Sequence, residues 1–321
     1  MTDRPAAQRR WQPSWPIDMA SILRPLQQGA ADPSLRIDAR AASQSIWRTL
    51  HTPDGPAVVH MRVVASGGAV DVTAWGPGAA AAVEQAPEHL GAADDPAGFE
   101  PESVASAAHS AQLRRGAVAV ARRWRVPRAG SVVDVLVASI LGQRVTGIEA
   151  HRAWATLLRA HGEPAQRYCG HAPAGLMVSP TQHQWRAVPV WSWRRAGVDG
   201  ARSDTVARCL AALAGLPLAT TPADAVRRRL RAVPGYGVWT DALLATRSYG
   251  DADAVAYRDF HLCHSVCHAL TGSLRGSDEQ MRELLQPWEG HRYRVVRLVE
   301  MCAVSAPRRG PRLAPSDHRH R

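Results

Sequence analysis

Between residues 11 and 75 apolar and polar positions alternate with the two-residue period of half-buried strands. The runs Ile46-Trp47-Arg48-Thr49-Leu50, Val58-Val59-His60-Met61-Arg62-Val63-Val64 and Val70-Asp71-Val72-Thr73-Ala74-Trp75 are separated by the turn pairs Asp54-Gly55 and Gly67-Gly68. That spacing predicts an antiparallel sheet folded through hairpins. The alanine-rich stretch 76–90 loses the alternation and predicts a helix packed on the sheet, and 91–101, with its Ala, Asp, Pro and Gly, reads as a linker. From about 104 to 304 the period becomes helical and strand signals nearly vanish. The expected class is therefore α+β: a small antiparallel-sheet domain with helices over 1–103, an all-helical domain over 104–305, and a flexible tail rich in Arg, Pro and His over 306–321. No internal repeat is visible.

Two helix starts in the second half carry a hydroxyl, then a proline, then an acceptor. Ser179-Pro180-Thr181-Gln182 and Thr221-Pro222-Ala223-Asp224 predict caps at Ser179 and Thr221. After the second, Val226, Leu230 and Val233 share one face and Arg227, Arg228, Arg229 and Arg231 fill the rest. Pro234 must end that helix, Gly235 and Gly237 permit a sharp hairpin, and a helical pattern restarts over 239–249. A Gly-x-Gly hairpin at a helix N-terminus leaves backbone N–H groups free to hold a phosphate oxygen. An ordinary corner between two helices reads the same way, so the hairpin alone does not decide between the two.

Composition narrows the partner. The 321-residue chain has 45% hydrophobic residues, enough for a core in each half, and a formal charge of +11. Such a surface attracts polyanions, nucleic acid first and anionic membranes second. All 39 basic residues are arginines, for the chain contains no lysine. The five cysteines, Cys169, Cys209, Cys263, Cys267 and Cys302, are odd in number and scattered, which argues against a secreted disulfide framework and for reduced thiols. No signal peptide opens the chain, and the longest apolar run, 132–141, is too short to cross a bilayer. The expectation is a cytoplasmic, nucleoid-associated protein.

Val233-Pro234-Gly235-Tyr236-Gly237-Val238-Trp239-Thr240, followed by Tyr257-Arg258-Asp259-Phe260-His261-Leu262, resembles the helix-hairpin-helix superfamily of DNA glycosylases, and within it the 3-methyladenine DNA glycosylase II branch. Trp11-Gln12-Pro13-Ser14-Trp15 is similar to that branch's opening strand, and Ile140-Leu141-Gly142-Gln143-Arg144-Val145-Thr146 to a motif-bearing segment of its helical domain. The resemblance implies base-excision repair: a damaged nucleotide is flipped out of double-stranded DNA and its N-glycosidic bond hydrolysed. It puts the catalytic aspartate at Asp259, where the residue type alone reads as a plain helix cap. It puts DNA contacts at Gly235, Tyr236, Gly237 and Thr240 in the hairpin, and at Gln143 and Arg144 in the loop that fills the hole left by the flipped base.

The lysine with which bifunctional relatives cut the DNA backbone falls on Trp239 here, so a monofunctional enzyme is expected. Trp239 also matches a pocket aromatic, and Trp191, Trp193 and His291 are further pocket candidates, with core packing the competing reading for the two tryptophans. Leu243 stands where relatives carry a pocket tyrosine and His291 where they carry a second tryptophan, which leaves the base preference open. Deaminated or oxidised bases would need an added donor, for which His291 or Tyr236 is available. A non-catalytic hairpin protein that merely grips phosphates is the alternative from another class. No cofactor is expected: after Cys267 only Cys302 remains, too few for an iron–sulfur cluster. His261, Cys263, His264, Cys267 and His268 form the densest ligand group, but all come from one helix, whereas structural zinc sites usually draw on two elements, so no metal is expected. The expected partner is damaged duplex DNA, bound by a monomer.

Overall fold

The computed structural model describes residues 4–40, 43–64 and 68–305. The tail over 306–321 and Gly67 of the second expected turn lie outside the described residues. Five strands, β1 (Ala7–Trp11), β2 (Leu35–Arg40), β3 (Ser43–Thr52), β4 (Gly55–Val63) and β5 (Val70–Trp75), form one antiparallel sheet in the order β1-β5-β4-β3-β2. In register, Ile46 opposes Met61 and Ile37 opposes Ile46, which lines one face with apolar side chains. The helix Ala79–His89 lays Ala79, Ala82, Val83 and Ala86 on that face, three and four residues apart.

Several expectations shift. Thr52 pairs with Gly55, so the β3–β4 turn is Pro53-Asp54 rather than Asp54-Gly55, and Gly55 enters the strand at φ +125°, a conformation glycine reaches freely. The opening strand ends at Trp11 instead of running on to Trp15. The stretch 91–101 is no loose linker: Asp94 accepts the N–H of Val126 and both ends of the Arg294 guanidinium at 2.7 Å, and the helix Pro101–Ala107 begins within it.

Among the described residues the second half is helical apart from a two-stranded ladder, Glu163–Pro164 with Met177–Val178. Met177 docks that ladder on the sheet domain, donating its N–H to Pro33 and accepting from the Thr49 hydroxyl. The helices build two cores. One spans residues 132–244 around Leu136, Ile140, Leu157, Trp185 and Leu210. The other joins residues 104–117 to 255–304 around Val104, Leu113, Val266, Leu285 and Val299. Trp124, Val126 and Ala129, between them in sequence, complete the core of the sheet.

Both expected caps move, because each hydroxyl finds another partner. Thr181, two residues late, caps the helix Gln182–Arg186 reciprocally with Gln184, and Ser179 donates to Asp134. Thr221 donates to Pro217, leaving the helix Ala223–Arg231 without a side-chain cap. No helix among the described residues is long and apolar enough to cross a membrane.

Candidate active site

The hairpin joins the helices Ala223–Arg231 and Val238–Tyr249. Gly235 adopts φ +93°, and a Cβ there would stand 2.4 Å from the Thr205 hydroxyl, so both the turn and its seat on the helix Gly200–Ala212 demand glycine. A Cβ on Gly237 would meet nothing, and no side chain caps the helix that follows. The first-turn N–H groups of Val238–Tyr249 therefore have no side-chain cap, and Gly237 and Val238 are exposed at the end where the helix dipole favours an anion.

Behind the hairpin, Asp241 draws its flanks together. It accepts from Arg227 at 2.8 Å, Arg231 at 2.7 Å and the Tyr236 hydroxyl at 3.0 Å. Burial alone would raise the Asp241 carboxyl, yet the two guanidinium groups hold it below its ordinary value. Burial and the Asp241 charge together push the Tyr236 phenol up. Tyr236 thus faces inward, and any contact it makes with DNA is through its backbone. Arg227 and Arg231 brace the hairpin, whereas Arg228 and Arg229 are exposed.

The loop after the helix Val132–Leu141 meets the hairpin directly. Gln143 donates to the carbonyl of Gly235 at 3.1 Å and to the hydroxyl of Thr240 at 2.9 Å. Thr240, 1% exposed, therefore anchors Gln143 rather than reaching outward. Arg144 is exposed, with φ +57°, an unusual backbone for a residue with a side chain.

Asp259 is held from two sides. Its Oδ1 accepts the N–H groups of His261 and Leu262, at 2.9 and 3.0 Å, at the start of the helix Leu262–Thr271. Its Oδ2 accepts the indole N–H of Trp239 at 3.1 Å. Each oxygen serves a different neighbour, so the carboxylate that caps this helix also faces Trp239. Gly142 leaves room for the Trp239 ring: a Cβ there would already touch Cη2 at 3.4 Å. Phe260, next to Asp259, is 79% exposed and precedes the helix instead of entering its core.

Hydrogen bonds therefore join Gln143, Gly235 and Thr240 in one cluster and Trp239 and Asp259 in another, and the second hairpin helix carries both Thr240 and Trp239. Trp193 is a core residue, 5% exposed, stacked on Trp185 and with its N–H spent on Val188, which removes it from the pocket candidates. Trp191, on the same short helix, is 63% exposed and makes no hydrogen bond to this cluster. His291 packs against Phe99 and accepts from Arg294, in the second helical core. Among the described residues no group of three or more His, Cys, Asp or Glu is arranged to hold a metal ion. His264 accepts the N–H of Gly276, and Cys263 and Cys267 are buried, which pushes both thiols up. A cavity of about 400 Å³ lies elsewhere, between sheet and helices, lined by His51, Asp134, His161, Glu163 and Ser179.

No family model matches the chain. Over 166 residues, 51% of the chain, it is 28% identical to a probable bifunctional transcriptional activator/DNA repair enzyme AlkA of Mycobacterium tuberculosis, and the match spans 32% of that protein's length. Among solved structures, a 3-methyladenine DNA glycosylase from Archaeoglobus fulgidus superposes with a TM-score of 0.68 at 15% identity, covering 92% of this chain and 98% of that one. The chain has the fold of the helix-hairpin-helix DNA glycosylases. A Clostridium acetobutylicum 8-oxoguanine glycosylase/lyase in complex with double-stranded DNA also superposes, with a TM-score of 0.60 at 11% identity over 94% of this chain and 99% of that one. In this fold the hairpin and Asp259 are contributed by opposite sides of a seam between the two helical cores, with Trp239 crossing it.

Proposed function

We propose that this chain is a DNA glycosylase of base-excision repair that acts as a monomer on cytoplasmic, nucleoid duplex DNA and releases alkylated bases of the 3-methyladenine or 7-methylguanine type without cutting the backbone. The observation that carries this is Asp259: a carboxylate fixed by three N–H donors beside an uncapped hairpin helix. The hairpin's free N–H groups hold a phosphate while the damaged nucleotide is flipped toward Trp239. The C1′–N bond breaks with its electron pair passing to the base. A cationic alkylated base takes that pair without needing a proton, so no general acid is required. Asp259 stabilises the positive charge that develops on the sugar. A water oxygen then bonds to C1′, its proton passing to the Asp259 carboxylate and on to solvent, leaving an abasic site. A strand cut through a Schiff base needs an amine, and a chain without lysine has no side-chain amine to supply.

The neutral-base reading is weaker, because the Tyr236 hydroxyl is spent on Asp241 and the His291 ring, held through Nδ1 by Arg294, packs against Phe99 and has no hydrogen bond to Asp259 or Trp239. The test is a panel of duplexes, each with one lesion: 3-methyladenine, 7-methylguanine, hypoxanthine, 8-oxoguanine or uracil. The expected outcome is release of the alkylated bases, an unbroken abasic strand, and a loss of at least about 10²-fold in the single-turnover rate for Asp259→Asn with DNA binding retained. Equal rates for wild type and Asp259→Asn would falsify the role of Asp259. Release of no base from any duplex that is nevertheless bound returns the chain to the non-catalytic DNA-binding class.

A further inference from the structure

Asp259 sits at the end of a turn that has an unfavourable backbone. The N–H of Asp259 reaches back to the carbonyl of Ala256 at 3.3 Å, closing a turn in which Arg258 occupies the third position. Arg258 adopts φ +68°. Turns with a positive φ at that position normally carry glycine or asparagine, because a side chain crowds the backbone there. Such a conformation persists only where the surroundings impose it.

The surroundings here are the helix Asp278–Leu285. Asp278, its first residue, accepts the Arg258 N–H through Oδ2 at 2.7 Å. Its Oδ1 is buried and has no hydrogen-bond partner among the described residues, so the carboxylate's one hydrogen bond through its side chain goes to this turn. One helical turn later Arg282 lays its guanidinium over the Tyr257 ring, 4.4 Å from the centroid. The same helix therefore grips two consecutive residues of the turn, the peptide between Tyr257 and Arg258 by its N–H and the Tyr257 side chain by its face. Asp259 is the next residue, and its Oδ2 must reach the Trp239 indole across the seam between the two helical cores.

We propose that Asp278 is a positioning residue for the reaction, holding Arg258 in its left-handed conformation and so aiming the Asp259 carboxylate at the flipped nucleotide. This rests on the reading of Asp259 given above. An acceptor at position 278 is what the turn needs; a negative charge there is not. A glycine at position 258 would reach the same backbone unaided.

The test uses the full-length protein in four forms: wild type, Asp278→Ala, Asp278→Asn, and Asp278→Ala combined with Arg258→Gly. Two quantities are read. One is the single-turnover rate of base release from the methylated duplexes, with the Kd for the same DNA. The other is the ¹⁵N-indole resonance of Trp239, assigned by its disappearance in Trp239→Phe, which senses the position of Asp259 whether or not the protein is active. Asp278→Ala is expected to slow release about tenfold or more at nearly unchanged Kd and to move the indole resonance. Asp278→Asn, which keeps an acceptor oxygen, is expected to restore most of the rate and the resonance, and the added Arg258→Gly, which removes the need for one, to restore the rate at saturating protein and the resonance while weakening the Kd by the loss of one phosphate contact. A loss that neither variant restores shows mere destabilisation and overturns the proposal, as does an Asp278→Ala protein with wild-type rate and resonance. Wild type that releases no base, with the resonance still moving in Asp278→Ala, sinks the glycosylase reading and with it the catalytic purpose of the contact, and leaves only the structural part, that Asp278 sets the place of the Asp259 carboxylate.

Discussion

Trp239 gives Asp259 an N–H at 3.1 Å and offers a ring beside it, and the two contributions are separable. Trp239→Phe keeps an aromatic face and deletes the donor. A hydrogen bond to a charged group is worth about 1.5–3 kcal/mol, and whatever part of it serves to orient the carboxylate appears in the chemical step. The expected outcome is a single-turnover rate lower by about tenfold with a Kd for duplex DNA within about twofold of wild type. A large rise in Kd with an unchanged rate would instead make Trp239 a binding surface alone. Each of these two residues is a candidate through the family resemblance, and Asp259 by its residue type alone reads as a helix cap. Their meeting is not legible, because it depends on the turn at 256–259, where arginine stands in the place at which glycine would have announced a positive φ. Tryptophans resist reading for another reason: Trp191 and Trp193 are neighbours of the same type, and only packing separates the exposed one from the core one.

At the scale of elements, hydrophobic period gave β3, β4 and β5 and the two hairpin helices, since each buries one face with the repeat its geometry demands. The edge strand β2 alternates Leu35, Ile37 and Ala39 with polar residues, but it is short and is recognised only once β3 lies beside it. The Glu163–Pro164 and Met177–Val178 ladder is invisible, because two-residue strands have no period. The expected caps are displaced where the hydroxyl has another partner, Asp134 across the fold for Ser179 and the Pro217 carbonyl four residues back for Thr221. The hairpin's own bracing was also unread: Asp241 and its arginines look like surface charge. Asp241→Asn leaves Arg227, whose side chain is 14% exposed, facing only Asp251 at 3.6 Å. The expected cost is about 2 kcal/mol, less than that of a fully unpaired buried charge because Asp251 remains. Urea unfolding checks it, and a loss within experimental error of zero would show that the network is ornamental. The pH dependence has a definite sign. The Asp241 carboxyl is depressed in the folded state, so its contribution is complete above the unfolded value of about 3.9 and is lost as pH falls through the lower folded one. The difference between wild type and Asp241→Asn should hold constant from about pH 5 to 8 and shrink only below about pH 4.

For the whole molecule, a formal charge of +11 overstates what can meet DNA, because many of the arginines are structural. Arg294 is 3% exposed and locked on Asp94, Arg202 is 5% exposed and bonded to Asp199 and the Leu141 carbonyl, and Arg292 is paired with Asp253. Arg48 is buried between sheet and helices, where burial pushes it down to about 10. These guanidinium groups hold the sheet, the stretch 91–101 and the helices together, and none of them is free to replace a counterion. Arg144 and Arg258 are both exposed and in left-handed backbone, one directly after Gln143 and one directly before Asp259. If they take phosphates on either side of the flipped nucleotide, binding should weaken with salt by a slope of about −0.9 for each phosphate neutralised. The Arg144→Ala, Arg258→Ala double variant should then lower the magnitude of that slope by about 2, read from fluorescence anisotropy between about 50 and 200 mM salt. Because base contacts and stacking carry no such salt dependence, the same variant should lose affinity equally for intact and lesion-bearing duplexes. An unchanged slope would put both arginines off the DNA and shift the phosphate contacts to the hairpin's N–H groups and to Arg228 and Arg229.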